Sequence, residues 1–479
     1  MRRFPMLDLL LTNGLVVTPS GAERLDIGIA EGKIVALRAS GAGAPEEARR
    51  VVDLNGQLVV PGGVDPHVHT NSVLPTAAES GIMCFGPDRV SEGAIYGGTT
   101  TLVDFAHWKP GDELSESFAR KSAEWSGSTY TDYALHGTFK EPEIPFEVLE
   151  QIPDAVANGH GSYKVWMTNT TPTRPKQKTD LGNMWGLMEQ TAAAGAMLAV
   201  HAEDDDIVMY SYKKLQHQGN TGIEYMHHAH NNLSEKLSFQ RAITLAHHVG
   251  APIYLMHVSA REGVDAIREA RGRGQAVYGE ILPHYAYFTA EDYRQENGAI
   301  YHTYPSLKSE TDRDSMWESL LEGSLSTLAT DGVCTDLDVK TRGKTILDAT
   351  GGHAGVEMRM AVAYTEGVAK RGLDLTRFVD ITSANAAKIL GLYPQKGVIA
   401  VGSDADLAVL DTTVDRKITA SDLHEADYTP WEGYRVAAWP SMTVLRGKVM
   451  VEDRKLLGGP DGSLLKQRVS SDVLKRPAC

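Results

Sequence analysis

The chain has 479 residues, with 47 Lys+Arg against 62 Asp+Glu, a formal net charge of −15. At about 150 residues per domain, that length admits one large barrel with a smaller module. A composition of 42% apolar and 23% charged residues excludes wholesale disorder. The negative charge repels phosphate backbones and anionic headgroups, so a small-molecule substrate is expected rather than nucleic acid or a membrane surface.

At the start, MRRFPMLDLLL imitates a signal peptide, but Asp8 splits its apolar part and no small-residue cleavage site follows. No run reaches the ~18 apolar residues of a spanning helix. Cys84, Cys334 and Cys479 are too far apart for a disulfide framework or a thiolate metal motif, so a reducing, cytoplasmic setting is expected. Residues 1–60 read as strands and turns: LVV, DIGIA, KIVALRA and QLVV, separated by Gly-containing turns.

From residue 61 the pattern changes. Strands are expected near Val59–His69, Thr100–Phe105, Tyr133–Phe139, Ser162–Met167, Met197–His201, Ile253–Val258, Ala276–Ile281 and Ser326–Asp331. Helical stretches such as Pro145–Ala157, Gly182–Ala194, Leu233–Val249 and Arg261–Arg273 lie between them. About eight strand–helix units are the count of a (β/α)8 TIM-like barrel. Helical patterns run on through Gly355–Arg371 and Leu375–Leu390, and β character returns in GVIAVGSDADLAVLD and MTVLRGKVMVED. The expected fold is therefore α/β: a catalytic barrel over 61–394, inserted into a small β-sandwich module built from both chain termini, 1–60 and 395–455. Residues 456–479 are polar and read as a tail or arm.

His67 and His69 close the first barrel strand, and residues at i and i+2 of a strand point to the same side. Such a pair fits one metal, although two polar residues at a strand end look the same. Other strand ends add to it. Strand four carries Lys164, strand five His201 in VHAE, strand six His257 in MHVS, and strand eight Asp331 in ATDG. Barrel enzymes build their sites where these ends converge. Four imidazoles and a carboxylate suit a zinc-type divalent ion. Lys164 cannot ligate as an ammonium; its ordinary reading is a stem packed in the barrel with the head reaching water.

The HVH, SYKVWM, VHAE, MHVS and ATDG segments, in this order, resemble the amidohydrolase superfamily, and within it the dihydropyrimidinase/hydantoinase family of cyclic amide hydrolases. The resemblance implies a binuclear centre of two divalent metals, zinc first. His67, His69, Asp331 and Lys164, the last carbamylated by CO2, surround one metal; Lys164, His201 and His257 surround the other. It also implies a bridging hydroxide as nucleophile, Asp331 as the proton shuttle, and a homo-oligomer, a tetramer in the family. Zn, Mn and Co share such ligands. The expected reaction is hydrolytic opening of a dihydropyrimidine- or hydantoin-type ring. An allantoinase-like or non-ureide cyclic amide hydrolase is the alternative within the superfamily. A non-catalytic scaffold is opposed by the intact ligand set.

Three departures bear on the substrate. Asn169 occupies the position, five after Lys164, where hydantoinases carry an oxyanion-binding Tyr. Tyr304, in YPSLK where the family has a segment resembling SPPLR, is the candidate for the missing phenol. The family's Asn-Gly-Gly stretch is altered to Thr350-Gly351-Gly352-His353. Asn71, another candidate contact, stands where dihydroorotases place a carboxylate-binding Arg, so a substrate carboxylate needs another partner here. Met83, Cys84 and Phe85 read equally as pocket wall or loop packing. His227, His228 and His230 read as a solvated face, and His107, His136 and His284 as residues near strand ends.

Overall fold

The structure is a computed structural model that describes residues 6–41, 47–74, 81–174 and 176–479. Five N-terminal strands, β1 (Leu7–Thr18), β2 (Gly21–Ala30), β3 (Lys33–Ala39), β4 (Ala48–Asp53) and β5 (Leu58–Pro61), share one sheet with four from the other end of the chain. The junction is antiparallel pairing of β5 with the segment Leu407–Asp411, in the register Val59 to Val409. Alternate residues supply its apolar face: Leu9, Leu11, Val16, Ile27, Val59, Leu407, Val409 and Val444 form a single buried cluster.

Eight parallel strands follow in sequential order: β6 (Gly63–Asp65), β7 (Thr99–His107), β8 (Asp132–Thr138), β9 (Ser162–Trp166), β10 (Met197–His201), β11 (Ile253–Leu255), β12 (Val277–Ile281) and β13 (Thr327–Leu328). A bridge between Val68 and Gly332, with His69 N–H donating to the Gly332 carbonyl at 2.9 Å, brings the first and last strands together. Helices cover the outside, so the strands are buried on both faces. In β9 the pleat decides which side chain goes where. Tyr163 and Val165 join the cluster that contains Leu187 and Met188 of the helix Leu181–Ala194, whereas Lys164 lies among Phe105 and Met256.

Two expected elements are divided. The run Val59–His69 splits into β5 and β6 at Gly62, where a Cβ would stand 2.2 Å from Thr100 Oγ1; only glycine lets the chain pass from one sheet to the other there. The helix expected over Pro145–Ala157 is two, Phe146–Leu149 and Ile152–Asn158, because Pro153 has no N–H to continue the ladder. The terminal sheet is completed by β14 (Leu407–Asp411), β17 (Trp439–Leu445), β18 (Lys448–Glu452) and β19 (Lys455–Leu456); β15 (Arg416–Lys417) and β16 (Arg435–Val436) make a separate ribbon. Residues read as a tail pack along the starts of the barrel strands. Leu465 and Val473 are buried with Val103, Met197 and Tyr278, and the Tyr278 hydroxyl donates to the Val473 carbonyl at 2.7 Å. No helix among the described residues is long and apolar enough to cross a membrane.

Candidate active site

At the opposite end, where the strands finish, His67, His69, Lys164, His201, His257 and Asp331 line one cleft of about 590 Å³, its open mouth included. Nε2 of His67 and Nε2 of His69 lie 3.0 and 3.1 Å from the same oxygen, Oδ1 of Asp331. Across the floor, Nδ1 of His201 is 3.0 Å from Nε2 of His257. Both Asp331 and His257 are in the left-handed region, at φ 48° and 41°, a conformation that non-glycine residues hold only when their surroundings impose it.

Partners behind these groups set their orientation. Glu280, at the end of β12, accepts from Nδ1 of His67 at 2.7 Å, which turns Nε2 toward Asp331. Glu203 faces Nε2 of His201 at 2.9 Å and Nδ1 of His230 at 2.8 Å. Asp65 accepts from Thr330 Oγ1 at 2.6 Å and from the Thr330 N–H at 3.1 Å, tying the end of β6 to the turn that carries Asp331.

The electrostatics describe a cluster built around positive charge. Burial opposes a proton on His67, yet Asp331 and Glu280 hold its pKa up to about 9. Burial likewise opposes charge on Asp331, but His67 and His69 keep its carboxyl well below the ordinary range. His69 is pushed down to about 4 by burial. The proton between His67 Nε2 and Asp331 Oδ1 stands where a divalent cation would meet the same nitrogen and oxygen atoms. Ligand atoms of His67, His69 and Asp331 lie within 4.8 Å of one another. Lys164 is fully buried, touches Met256 Sδ at 2.7 Å, and lies 4.9 and 5.5 Å from the ring centres of Trp166 and Phe105. Burial lowers its pKa to about 8, so a neutral amine is accessible near physiological pH.

The wall above this floor comes from loops. Tyr304, Arg174, Lys140, Trp166, Thr303 and Gly352 are among its lining residues. Gly352 has φ 87° and a Cβ there would stand 2.3 Å from Val333, so its backbone can border the cleft only as glycine. The Lys340 ammonium donates to the carbonyls of His302, Thr350 and Gly352, pinning this loop to the segment that leads into Tyr304. Asn169 and Asn71 do not line the cleft. The Asn169 amide donates to Asp205, and its oxygen accepts from the N–H groups of Gln177 and Lys178, so the side chain organises the loop. Asn71 donates to Glu124 at 3.3 Å.

Met83 is exposed, Cys84 is buried with Sγ on the His69 carbonyl, and Phe85 is half-buried beneath Arg89; none lines the cleft. His230 corrects the reading of a solvated histidine face: it is fully buried between Glu203 and the Tyr212 hydroxyl. His136 bonds the Pro66 carbonyl, and His284 stacks on His353, outside the cleft lining. Sequence reading missed Glu280, Glu203, Lys340 and Thr303. Glu203 alone left a local signal, since it follows His201 by two on the same strand end.

The model of the amidohydrolase family matches residues 58–450. The chain is 34% identical over 470 residues to a D-hydantoinase of Ralstonia pickettii, covering 96% of this chain and 99% of that protein. It is 31% identical over 456 residues to an L-hydantoinase of Paenarthrobacter aurescens, covering 94% and 96%. Among solved structures, a dihydropyrimidinase from Brevibacillus agri superposes with a TM-score of 0.90 at 30% identity, covering 97% of this chain and 99% of that one.

Proposed function

This chain belongs to the hydantoinase family of the amidohydrolases, and we propose on that premise that it opens cyclic amides or ureides by metal-dependent hydrolysis. The observation that carries the reading is the convergence of His67, His69, Lys164, His201, His257 and Asp331, from five strand ends, on one cleft floor. The donor set fits two divalent ions, zinc first. His67, His69 and Asp331 would hold one. His201 and His257, whose facing nitrogens 3.0 Å apart suit a shared cation, would hold the other. Lys164 would bridge them as a carbamate formed with CO2. That assignment is supported by its burial away from solvent, its contacts with sulfur and aromatic rings rather than a carboxylate, and its lowered pKa.

When bound, such a metal pair supplies an acidified water and polarises the carbonyl to be attacked. With Oδ1 of Asp331 facing the two imidazoles, its other carboxylate oxygen would take the proton released on attack and return it to the ring nitrogen as the C–N bond breaks. The Tyr304 phenol, held protonated by burial with a pKa near 12, is the donor for the developing oxyanion in place of the family Tyr replaced by Asn169. Glu280 and Glu203 hold the imidazoles of His67 and His201 in one tautomer. A homotetramer and cytoplasmic residence accompany this reading, the latter in keeping with three free cysteines.

The test is turnover by zinc- and bicarbonate-loaded protein on dihydrouracil, hydantoin, 5-substituted hydantoins, allantoin, dihydroorotate and simple cyclic imides. Ring opening of a ureide is expected. Bound metal with every ring inert would overturn the assignment, and failure to retain any metal would remove the catalytic reading altogether.

A further inference from the structure

Besides Lys164, two cations line the cleft without an acidic partner among the described residues. Lys140, just beyond β8, contacts His107 Nε2 at 3.3 Å and lies 4.8 Å from the Trp166 ring centre. Arg174, in the loop that Asn169 organises, donates to the Gln177 side-chain oxygen at 3.3 Å and to the Val73 carbonyl at 3.1 Å. Those acceptors are all neutral: the His107 imidazole is kept uncharged by burial, and the others are amide and carbonyl oxygens.

Buried lysines elsewhere are either paired with acids or enclosed by carbonyls, as Lys340 is by three of them. Lys121 has Asp104 at 3.0 Å, and Lys396 has Asp132 and Asp406, both at 2.6 Å. Lys140 and Arg174 are half-buried and both line the cleft, so their positive charge is open to a bound ligand in a chain with fifteen more acidic than basic residues. Burial first, and then Arg174, lowers the Lys140 pKa to about 7. That is the field an incoming anion would relieve.

We propose that Lys140 and Arg174 form an anion-accepting pair, and that the substrate is a cyclic amide whose ring substituent ends in a carboxylate. The inference rests on the ring-opening reading above and narrows it to a substrate class. The floor addresses the scissile amide, while the planar guanidinium fork and the ammonium address the substituent's two oxygens. No arginine follows His69 at Asn71; the carboxylate partner comes instead from the segments that follow β8 and β9.

The experiment compares hydantoin-5-acetic acid with its neutral isostere hydantoin-5-acetamide on zinc- and bicarbonate-loaded full-length protein. The acid should be favoured by about tenfold or more in kcat/KM, mostly through KM. Lys140→Met and Arg174→Gln should each collapse that ratio, and Lys140→Arg should retain most of it. Equal use of acid and amide by the wild type, or variants that lose both substrates alike, would overturn the proposal. If no ureide ring is opened at all, the ring-opening reading fails separately, and the pair is judged by calorimetry with glutarate and glutaramide. Glutarate binding that weakens in Lys140→Met sustains the anion site; indistinguishable binding of the two probes refutes it.

Discussion

The floor and the wall of the cleft are built by different rules. The floor stands on strand ends whose directions the barrel imposes, and three of its six groups are backed by a buried carboxylate: Glu280 behind His67, Glu203 behind His201, Asp65 behind the turn of Asp331. The wall stands on loops held by single residues, the Lys340 ammonium on one side and the Asn169 amide on the other. A rigid floor with a separately fastened wall lets one chemistry serve differently shaped rings. The hydantoinase relatives include both D- and L-named proteins at comparable identity.

This contrast yields graded expectations. Lys164→Ala should lower kcat by about a thousandfold or more, because it removes the group proposed to bridge both metals, and short carboxylic acids should partly restore turnover. An unchanged rate would take Lys164 out of the floor. Tyr304→Phe should cost about a hundredfold in kcat if its phenol supports the oxyanion, and a change confined to KM would make it only a wall residue. Glu280→Gln should weaken zinc retention by about 10–100-fold in chelator competition, since His67 loses its orienting carboxylate.

The pH dependence has a definite sign. The Lys164 amine is depressed from its usual 10.5 to about 8 by burial, so it is mostly protonated at pH 7 and half neutral at pH 8. With 13C-bicarbonate and metal-free protein, the initial rate of carbamate formation per unit of dissolved CO2 should rise about fivefold between those values, following the neutral-amine fraction. A flat response would contradict a reactive amine. The smallest change is expected at Asn169→Ala: a stability loss of about 1–2 kcal/mol from the freed loop, read by thermal melting, with kcat within about threefold.

Much of the floor was legible from local patterns. The spacing of His67 and His69, and the terminal positions of Lys164, His201, His257 and Asp331, follow from a period of two along strands that end at one face. The partners were not legible, because Glu280 lies 213 positions from His67 and only barrel closure brings them to 2.7 Å. Asn169 shows the same limit within a loop. A side chain expected at the substrate is instead consumed by Asp205, Gln177 and Lys178.

The sequence by itself determined the alternating strands and helices, the inward registry of the floor residues and the family they resemble, because those depend on spacing along the chain. Only the tertiary structure decided which carboxylates back the histidines, that Tyr304 rather than Asn169 borders the cleft, and that Lys140 and Arg174 both line it without an acidic partner among the described residues. Those are matters of which distant segments share one buried volume, and the closing of the barrel settles them.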